Sequence, residues 1–422
     1  MGLFLCDGFP LYPTPPACRK PLKKQSRLCK KGLQGKKPDL CLVFVSSEFL
    51  AGYETVSSKL QAALGPRVIL GCSGGGVVGD SREVEHRPAV SLTAALLPDV
   101  TLTPFRAADS SLPGLDVSPR AWHSLTGVSP IDQPHFIVLA DPFSIRIENF
   151  ISGLDYAYPK AVKVGGLASG ATKAGENALF LNSVCYRSGA VGLALSGNIA
   201  LDALVAQGCR PIGKPLRVTK CDRNILMELD GQSPLGVLRE LFSALDARDQ
   251  GLLQNALFLG LVMDPMKSHF TQGDFLIRNI VGLDTERGLL AVGALLRQGQ
   301  LVQFHLRDAQ TSADDLSQIL STYGSRSGCD HLSGALLFSC LGRGEYLYGR
   351  ASHDTLLFHE KLGSVPVGGF FCNGEIGPVG GTTYLHGYTS CFALFRPLYV
   401  TSSRAFGIDP AVVRPAPHPP AF

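Results

Sequence analysis

The 422 residues carry a net charge of +4 and are 45% hydrophobic, enough chain for two ordinary cores of ~100–200 residues each. Nine Lys or Arg against one acid fall in residues 1–38, so residues 39–422 carry −4, which excludes a nucleic-acid-binding body with a clustered basic face. No apolar run reaches the ~18 residues a membrane-spanning helix needs. The twelve cysteines, with no C-x-x-C pair, read as reduced thiols and exclude both a disulfide scaffold and structural zinc.

Residues 1–38, rich in Pro, Lys and Arg and without period, are expected to form a disordered basic leader. Such a leader allows an organelle address (plastid or mitochondrion) beside a default cytoplasmic location, but Ser26 is its only serine, which weakens the transit-peptide reading. Leu40–Ser46 reads as a buried strand. Leu50, Tyr53, Val56, Leu60 and Leu64 recur at helical spacing up to Gly65-Pro66, and the strand Arg67–Leu70 opens into Gly71-Cys72-Ser73-Gly74-Gly75-Gly76. Ala89–Leu97 and Val100–Phe105, on either side of Pro98-Asp99, read as a hairpin.

A second cycle repeats this order. His135–Ala140 is a strand, Ser144 a cap for a helix carrying Ile147, Phe150, Ile151 and Leu154, and Ala161–Val164 leads into Gly165–Gly170. Ala178–Tyr186 and Ala190–Leu195 are its expected hairpin. Ser233-Pro234 then caps a helix, and Leu289–Leu296 and Leu301–Arg307 read as strands joined by a hairpin turn at Arg297–Gln300. Ser312 is expected to start a further helix, Ala335–Cys340 is a strand, His353–Leu362 a short helix, and Val365-Pro366-Val367 enters a third Gly-rich turn. The fold class is therefore mixed α/β (α+β), with mixed or antiparallel sheets in two domains, 39–213 and 214–400, followed by a disordered Pro/Ala-rich tail, 401–422.

The Gly-rich turns invite a nucleotide-binding reading. Gly71–Gly79 holds neither G-x-G-x-x-G nor a G-K-[ST] ending, and Val77-Val78 continues as strand, so structural glycines are the better account. Cys340, before Leu341-Gly342-Arg343, and Cys372, beside Asn373 and Glu375, are the reactive-thiol candidates; a hydrolase built from Cys372, His386 and Glu375 is weighed against buried inert cysteine, the commoner case. Arg278 and Arg307 stand inside apolar strands, where a guanidinium needs an internal carboxylate such as Asp284, Asp308 or Glu375, or an acidic ligand.

The segments Gly71–Gly79, Gly165–Gly170, Phe275–Asp284, Val302–Ala309, Gly334–Gly344 and above all Gly368–Gly387, with G-F-F-C-N-G-E-I-G-P and L-H-G-Y-T, resemble those of FIST proteins over nearly all of residues 39–396. The resemblance implies a non-catalytic sensory module for small ligands, amino acids among them, with an FIST N-like domain at 39–213 and an FIST C-like domain at 214–400. F-box relatives imply an alternative role as a ubiquitin-ligase adaptor, although residues 1–38 show no periodic segment for an F-box. A cysteine-dependent enzyme is the further alternative. The expected ligand set is Arg278, Arg307, Arg343, Asn373, Glu375 and His386, with arginines holding a carboxylate and Glu375 an amine. The expected partners are a small polar or anionic metabolite and a separate signalling or ubiquitin-ligase protein, with no cofactor, metal or nucleic acid.

Overall fold

The computed structural model describes residues 2–5, 19–79, 81–114, 116–326 and 331–399. It is an α+β protein in which one pattern occurs three times. The first unit contains β1 (Gly2–Leu5), α1 (Arg19–Gly32), β2 (Leu40–Ser46), α2 (Val56–Leu64), β3 (Val68–Gly74), the hairpin β4 (Gly76–Gly79) and β5 (Arg82–Glu85), and β6 (Val90–Leu96). The second contains β7 (Val100–Ala107), α3 (Pro119–Thr126), β8 (His135–Ala140), α4 (Ile147–Ala157), β9 (Lys163–Leu167), the hairpin β10 (Leu179–Leu181) and β11 (Val184–Tyr186), and β12 (Ala190–Gly197).

The third begins with β13 (Ala200–Ala206) and is interrupted by β14 (Cys209–Asp222), β15 (Ile225–Leu229), α5 (Pro234–Ala244), α6 (Ala247–Leu253), β16 (Leu257–Val262), β17 (Phe275–Asp284), β18 (Leu289–Val292) and β19 (Leu301–Arg307). It resumes with α7 (Ala309–Gly324), β20 (Gly334–Cys340), α8 (Glu345–Tyr348), α9 (His353–Leu362), β21 (Val367–Cys372), the hairpin β22 (Glu375–Val379) and β23 (Thr382–His386), and β24 (Ser390–Arg396). The interrupting strands close a barrel in the order β14-β15-β18-β17-β16-β19.

Three sheets follow from this order: β1-β6-β2-β3-β10-β11, β7-β12-β8-β9-β22-β23 and β13-β24-β20-β21-β4-β5. At the centre of each is the parallel pair of one unit, β2/β3, β8/β9 or β20/β21. Its own antiparallel strands lie on one side, and on the other lies a hairpin from a different unit. The first unit's hairpin joins the third sheet, the second's joins the first, and the third's joins the second. The equivalence extends to single residues. Gly71 lies opposite Val43, Gly165 opposite Val138 and Gly369 opposite Leu337, and a Cβ on each glycine would come within 1.8, 1.8 and 1.9 Å of the facing carbonyl oxygen.

Side chains alternate across each strand. Phe44, Leu70, Ile137, Leu139, Leu336, Phe338 and Phe370 point into a shared apolar interior between the sheets. Their neighbours pack outward beneath helix pairs: Val43 under α1 and α2, Val138 under α3 and α4, Leu337 under α7 and α9. The three glycine turns clasp one another. The N–H of Ser169 donates to the Ser73 carbonyl (3.2 Å) and that of Asn373 to Leu167 (3.1 Å). The N–H of Gly75 donates to Ser169 Oγ (2.8 Å), whose hydroxyl donates to the Phe371 carbonyl.

Several sequence expectations are corrected. Residues 19–32, assigned to a disordered leader, form α1, because Leu22, Gln25, Ser26 and Cys29 fall on one helical face and are buried in the first unit, as is Leu33 just after the helix. This helix is part of the body, which removes the basis for an organelle leader in that stretch. Residues 6–18 and 401–422 lie outside the described residues. Ala89–Leu97 and Val100–Phe105 are not a hairpin: β6 and β7 belong to different sheets, and the chain crosses between them at Pro98-Asp99. The second expected hairpin is β10/β11 alone, turning at Asn182 (φ 52), while β12 pairs with β7 and β8. The turn at Arg297–Gln300 joins β18 to β19, which are not neighbours in the barrel.

Ser233 does cap α5 by accepting from the Gly236 N–H. The cap of α7 is Asp308, accepting from Thr311, rather than Ser312. Ser144 bonds Asp141 and the Gly189 N–H instead of capping α4. The expected division at 213/214 falls inside β14, and the sheets draw strands from both sides of it. Among the described residues no helix is long and apolar enough to cross a membrane.

Candidate functional site

The site lies where the third unit meets the barrel. β20 ends at Cys340 and turns through Leu341-Gly342-Arg343-Gly344; β19 ends at Arg307, in register with Cys209 on β14; and β22 begins at Glu375. The connection from β23 to β24, Gly387–Thr389, is drawn in by Glu375, whose Oε2 accepts from Thr389 N–H (3.1 Å) and Oγ1 (2.8 Å).

Arg343 is wholly buried. Its Nε donates to Asp354 Oδ2 (2.9 Å), and Nη2 donates to Asp354 Oδ1 (3.3 Å) and to the Tyr348 hydroxyl. Asp354 also bonds His353 Nδ1 (3.0 Å) and accepts from Ser390 Oγ (2.8 Å). Burial alone would raise the Asp354 carboxyl, but the Arg343 guanidinium and His353 outweigh it and hold the group below the usual carboxylate range. The Arg343 charge is thus matched within the protein.

Arg307 has no such match. It is 8% exposed, its Nη2 donates to the Gly342 carbonyl (2.9 Å), and its guanidinium lies 5.0 Å from the Tyr388 ring centroid. No carboxylate among the described residues makes an ion pair with it within 4.0 Å. The neighbouring Glu375 is fully buried, and burial pushes its carboxyl up to about 8 against the lowering pull of Thr389, Arg343 and Arg307. Three buried polar atoms of this cluster have no hydrogen-bond partner: Arg307 Nε, Arg343 Nη1 and Glu375 Oε1. A buried polar atom left unpaired costs ~1–3 kcal/mol, more on a charged group. Three such atoms fall in this one cluster.

The remaining expected residues are placed differently. Arg278 reaches Glu148 on α4 (3.5 Å), so its partner is internal but is none of the three acids named from sequence. His386 lies opposite Glu375 in the β22/β23 register, and its Nε2 pairs with the Gly377 carbonyl (3.0 Å). Burial lowers the imidazole to about 4, leaving it neutral. Asn373 is exposed in the third glycine turn, and it is its backbone N–H that is bonded.

Cys340 and Cys372 are register partners on β20 and β21. Burial pushes the Cys340 thiol up to about 11 and Cys372 well above its ordinary value, with Glu375 adding to both, opposite to the lowering that activates a nucleophile. Sequence reasoning missed Tyr388, Thr389 and Asp354. Asp354 reads as an ordinary acid in the first turn of a helix, and the one local signal for Tyr388 is its place after Gly387. Tyr388 adopts φ 67, a strained backbone for a bulky residue, with its ring 4.3 Å from that of Phe258.

Residues 39–232 match the FIST N domain and residues 234–378 the FIST C domain. The chain belongs to the FIST family. FIST domains are generally sensory ligand-binding domains. An uncharacterized protein of Mycobacterium tuberculosis is 33% identical over 385 residues, covering 90% of this chain and 97% of its own length. An uncharacterized protein of Mycobacterium bovis is 32% identical over 388 residues with the same coverage. An F-box/LRR-repeat protein of Arabidopsis thaliana is 32% identical over 95 residues, 22% of this chain and 18% of that protein. A solved cyanuric acid hydrolase from A. caulinodans aligns over 90% of this chain and 97% of its own at 8% identity and a TM-score of 0.32, too remote to inform the site. Arg307, Arg343, Asp354 and Glu375 lie within the FIST C match, and His386, Tyr388, Thr389 and Ser390 follow its end.

Proposed function

We propose that this FIST protein is a non-catalytic sensor that binds a small carboxylate at Arg307, Arg343 and Glu375 and acts through a separate partner protein. The observation that carries the reading is the set of three unpaired buried atoms on charged side chains. Arg307 Nε and Arg343 Nη1 are donors. Glu375 Oε1 becomes a third donor at neutral pH, where its raised carboxyl is mostly protonated. Three donors on neighbouring side chains, with one unmatched positive charge on Arg307, suit an anionic acceptor, and a planar carboxylate suits an arginine best.

This refines the role expected of Glu375. A protonated carboxyl cannot hold an ammonium group by charge, so simple organic acids are favoured over zwitterionic amino acids. Arg278, His386 and Asn373 then frame the region rather than touch the ligand. A thermal-shift screen of organic acids and amino acids tests the proposal: a true ligand at 100 times its dissociation constant adds ~2.7 kcal/mol to stability. The expected result is a shift with one class of monocarboxylate that Arg307→Gln abolishes. An equal shift in that variant counts against the site.

A further inference from the structure

We propose that the face formed by α1 and α2 is a docking groove for an acidic amphipathic helix of a partner protein. Seven of the fourteen residues of α1 are Lys or Arg, and neither α1 nor α2 holds an acid. Residues 39–422 as a whole are acidic, so this positive face is a local concentration and not a general property of the surface.

The groove between the two helices encloses about 470 Å³. Leu22 and Ser26, both buried, line it together with Ala63, and the exposed Lys23, Arg27 and Lys30 flank it along α1. Positions 22, 26 and 30, with 23 and 27, run down one side of α1 at four-residue spacing. Lys59 and Ala63 repeat that spacing on α2. The small side chains of Ser26 and Ala63 let a third helix approach closely, and the aliphatic stems of the flanking cations extend the apolar lining. A partner helix with Leu or Ile at i, i+4 spacing, flanked by Glu or Asp, is complementary in both shape and charge.

A lipid surface fits less well. An interfacial helix buries protruding apolar side chains in the bilayer, whereas here the apolar surface is recessed and Leu28, 37% exposed, is the large apolar side chain that α1 presents. A nucleic acid would use the cations and leave the apolar groove unfilled. The inference rests on the reading that the protein acts through a partner, but not on the ligand.

The test uses the full chain without added carboxylate, so its failure leaves the ligand reading standing. Fluorescence anisotropy is measured with a fluorescein-labelled helix of repeated Glu-Glu-Leu-Leu and with an all-glutamate peptide. The expected result is binding at least about tenfold tighter for the leucine-containing helix. Ala63→Trp, which fills the groove without changing charge, should weaken it about tenfold, and the exposed triple variant Lys23→Glu/Arg27→Glu/Lys30→Glu should abolish it. Circular dichroism melts establish that both variants are folded. Equal binding of the two peptides, indifference to Ala63→Trp in the folded protein, or tighter binding to phosphatidylserine vesicles or duplex DNA than to the helix would each overturn the proposal.

Discussion

Arg343 Nε lies 2.9 Å from Asp354 Oδ2, and the two side chains are 0% and 1% exposed. Because this pair is closed on itself, the positive charge of the site resides on Arg307. Breaking a buried pair leaves an uncompensated charge and costs ~3–5 kcal/mol. Asp354→Asn should therefore lower the unfolding free energy by about that amount in urea titrations. A loss below about 1 kcal/mol, the range of an exposed pair, would show that the Arg343 charge is not held by Asp354.

The glycines at the centre of each parallel pair carry the architecture. Gly165→Ala and Gly369→Ala place a Cβ within 1.8 and 1.9 Å of a backbone carbonyl oxygen at φ 151 and 149. Each should cost more than about 4 kcal/mol, or prevent folding. Gly251→Ala in α6, where nothing lies within 4 Å, should be neutral or stabilise by about 0.5–1 kcal/mol. Thermal melts of the three variants decide the point, and a melting temperature for Gly165→Ala or Gly369→Ala as high as that of Gly251→Ala would refute the architectural role of these glycines.

This architecture was partly legible from residues alone. β2, β8 and β19 begin and end where their apolar runs do, and the strand, helix, strand, glycine order is visible in two cycles. The third shows the same order from β20 through α9 and β21 into its glycine turn, but the barrel separates β13 from the rest of that unit. Hairpin exchange left no trace: antiparallel neighbours in sequence, such as β6 and β7, look alike whether they pair or part. α1 was missed because Gln25 and Ser26 occupy its buried face among lysines. Arg307, Arg343 and Glu375 were found as charged groups among apolar or glycine neighbours, but the pairing of Arg343 with Asp354 and of Arg278 with Glu148 depends on contacts between distant elements.

Stability should fall on both sides of mildly acidic pH. Burial pushes Glu375 and Glu83 up to about 8, so in the folded state they retain protons that the unfolded chain has lost. Each then reduces stability as pH rises from about 4.5 to about 8, by up to ~1.4 kcal/mol per pH unit. Burial lowers His135, His305 and His386 to about 4, so below about 6.5 the unfolded chain takes up protons that the fold excludes, and stability falls toward pH 4. Denaturation across pH should show a shallower alkaline limb for Glu375→Gln. An unchanged limb would mean that Glu375 is ionised in the fold.

Tyr388 covers Arg307 from a left-handed backbone position. Tyr388→Asn suits that backbone better and removes the ring. Stopped-flow binding should show faster association and faster dissociation of a carboxylate identified by the screen. Unchanged rates would put the entry route elsewhere.

The central claim is that Arg307 and a protonated Glu375 together hold a carboxylate. Isothermal calorimetry of that ligand across pH 6 to 9, on wild type and Arg307→Gln, tests it most directly. Because Glu375 titrates at about 8, ionisation should place a second negative charge beside the ligand. Affinity is expected to hold below that pH and to fall about tenfold for each pH unit above it, with no measurable binding by Arg307→Gln. Affinity that rises through pH 8, or survives in Arg307→Gln, would contradict the account.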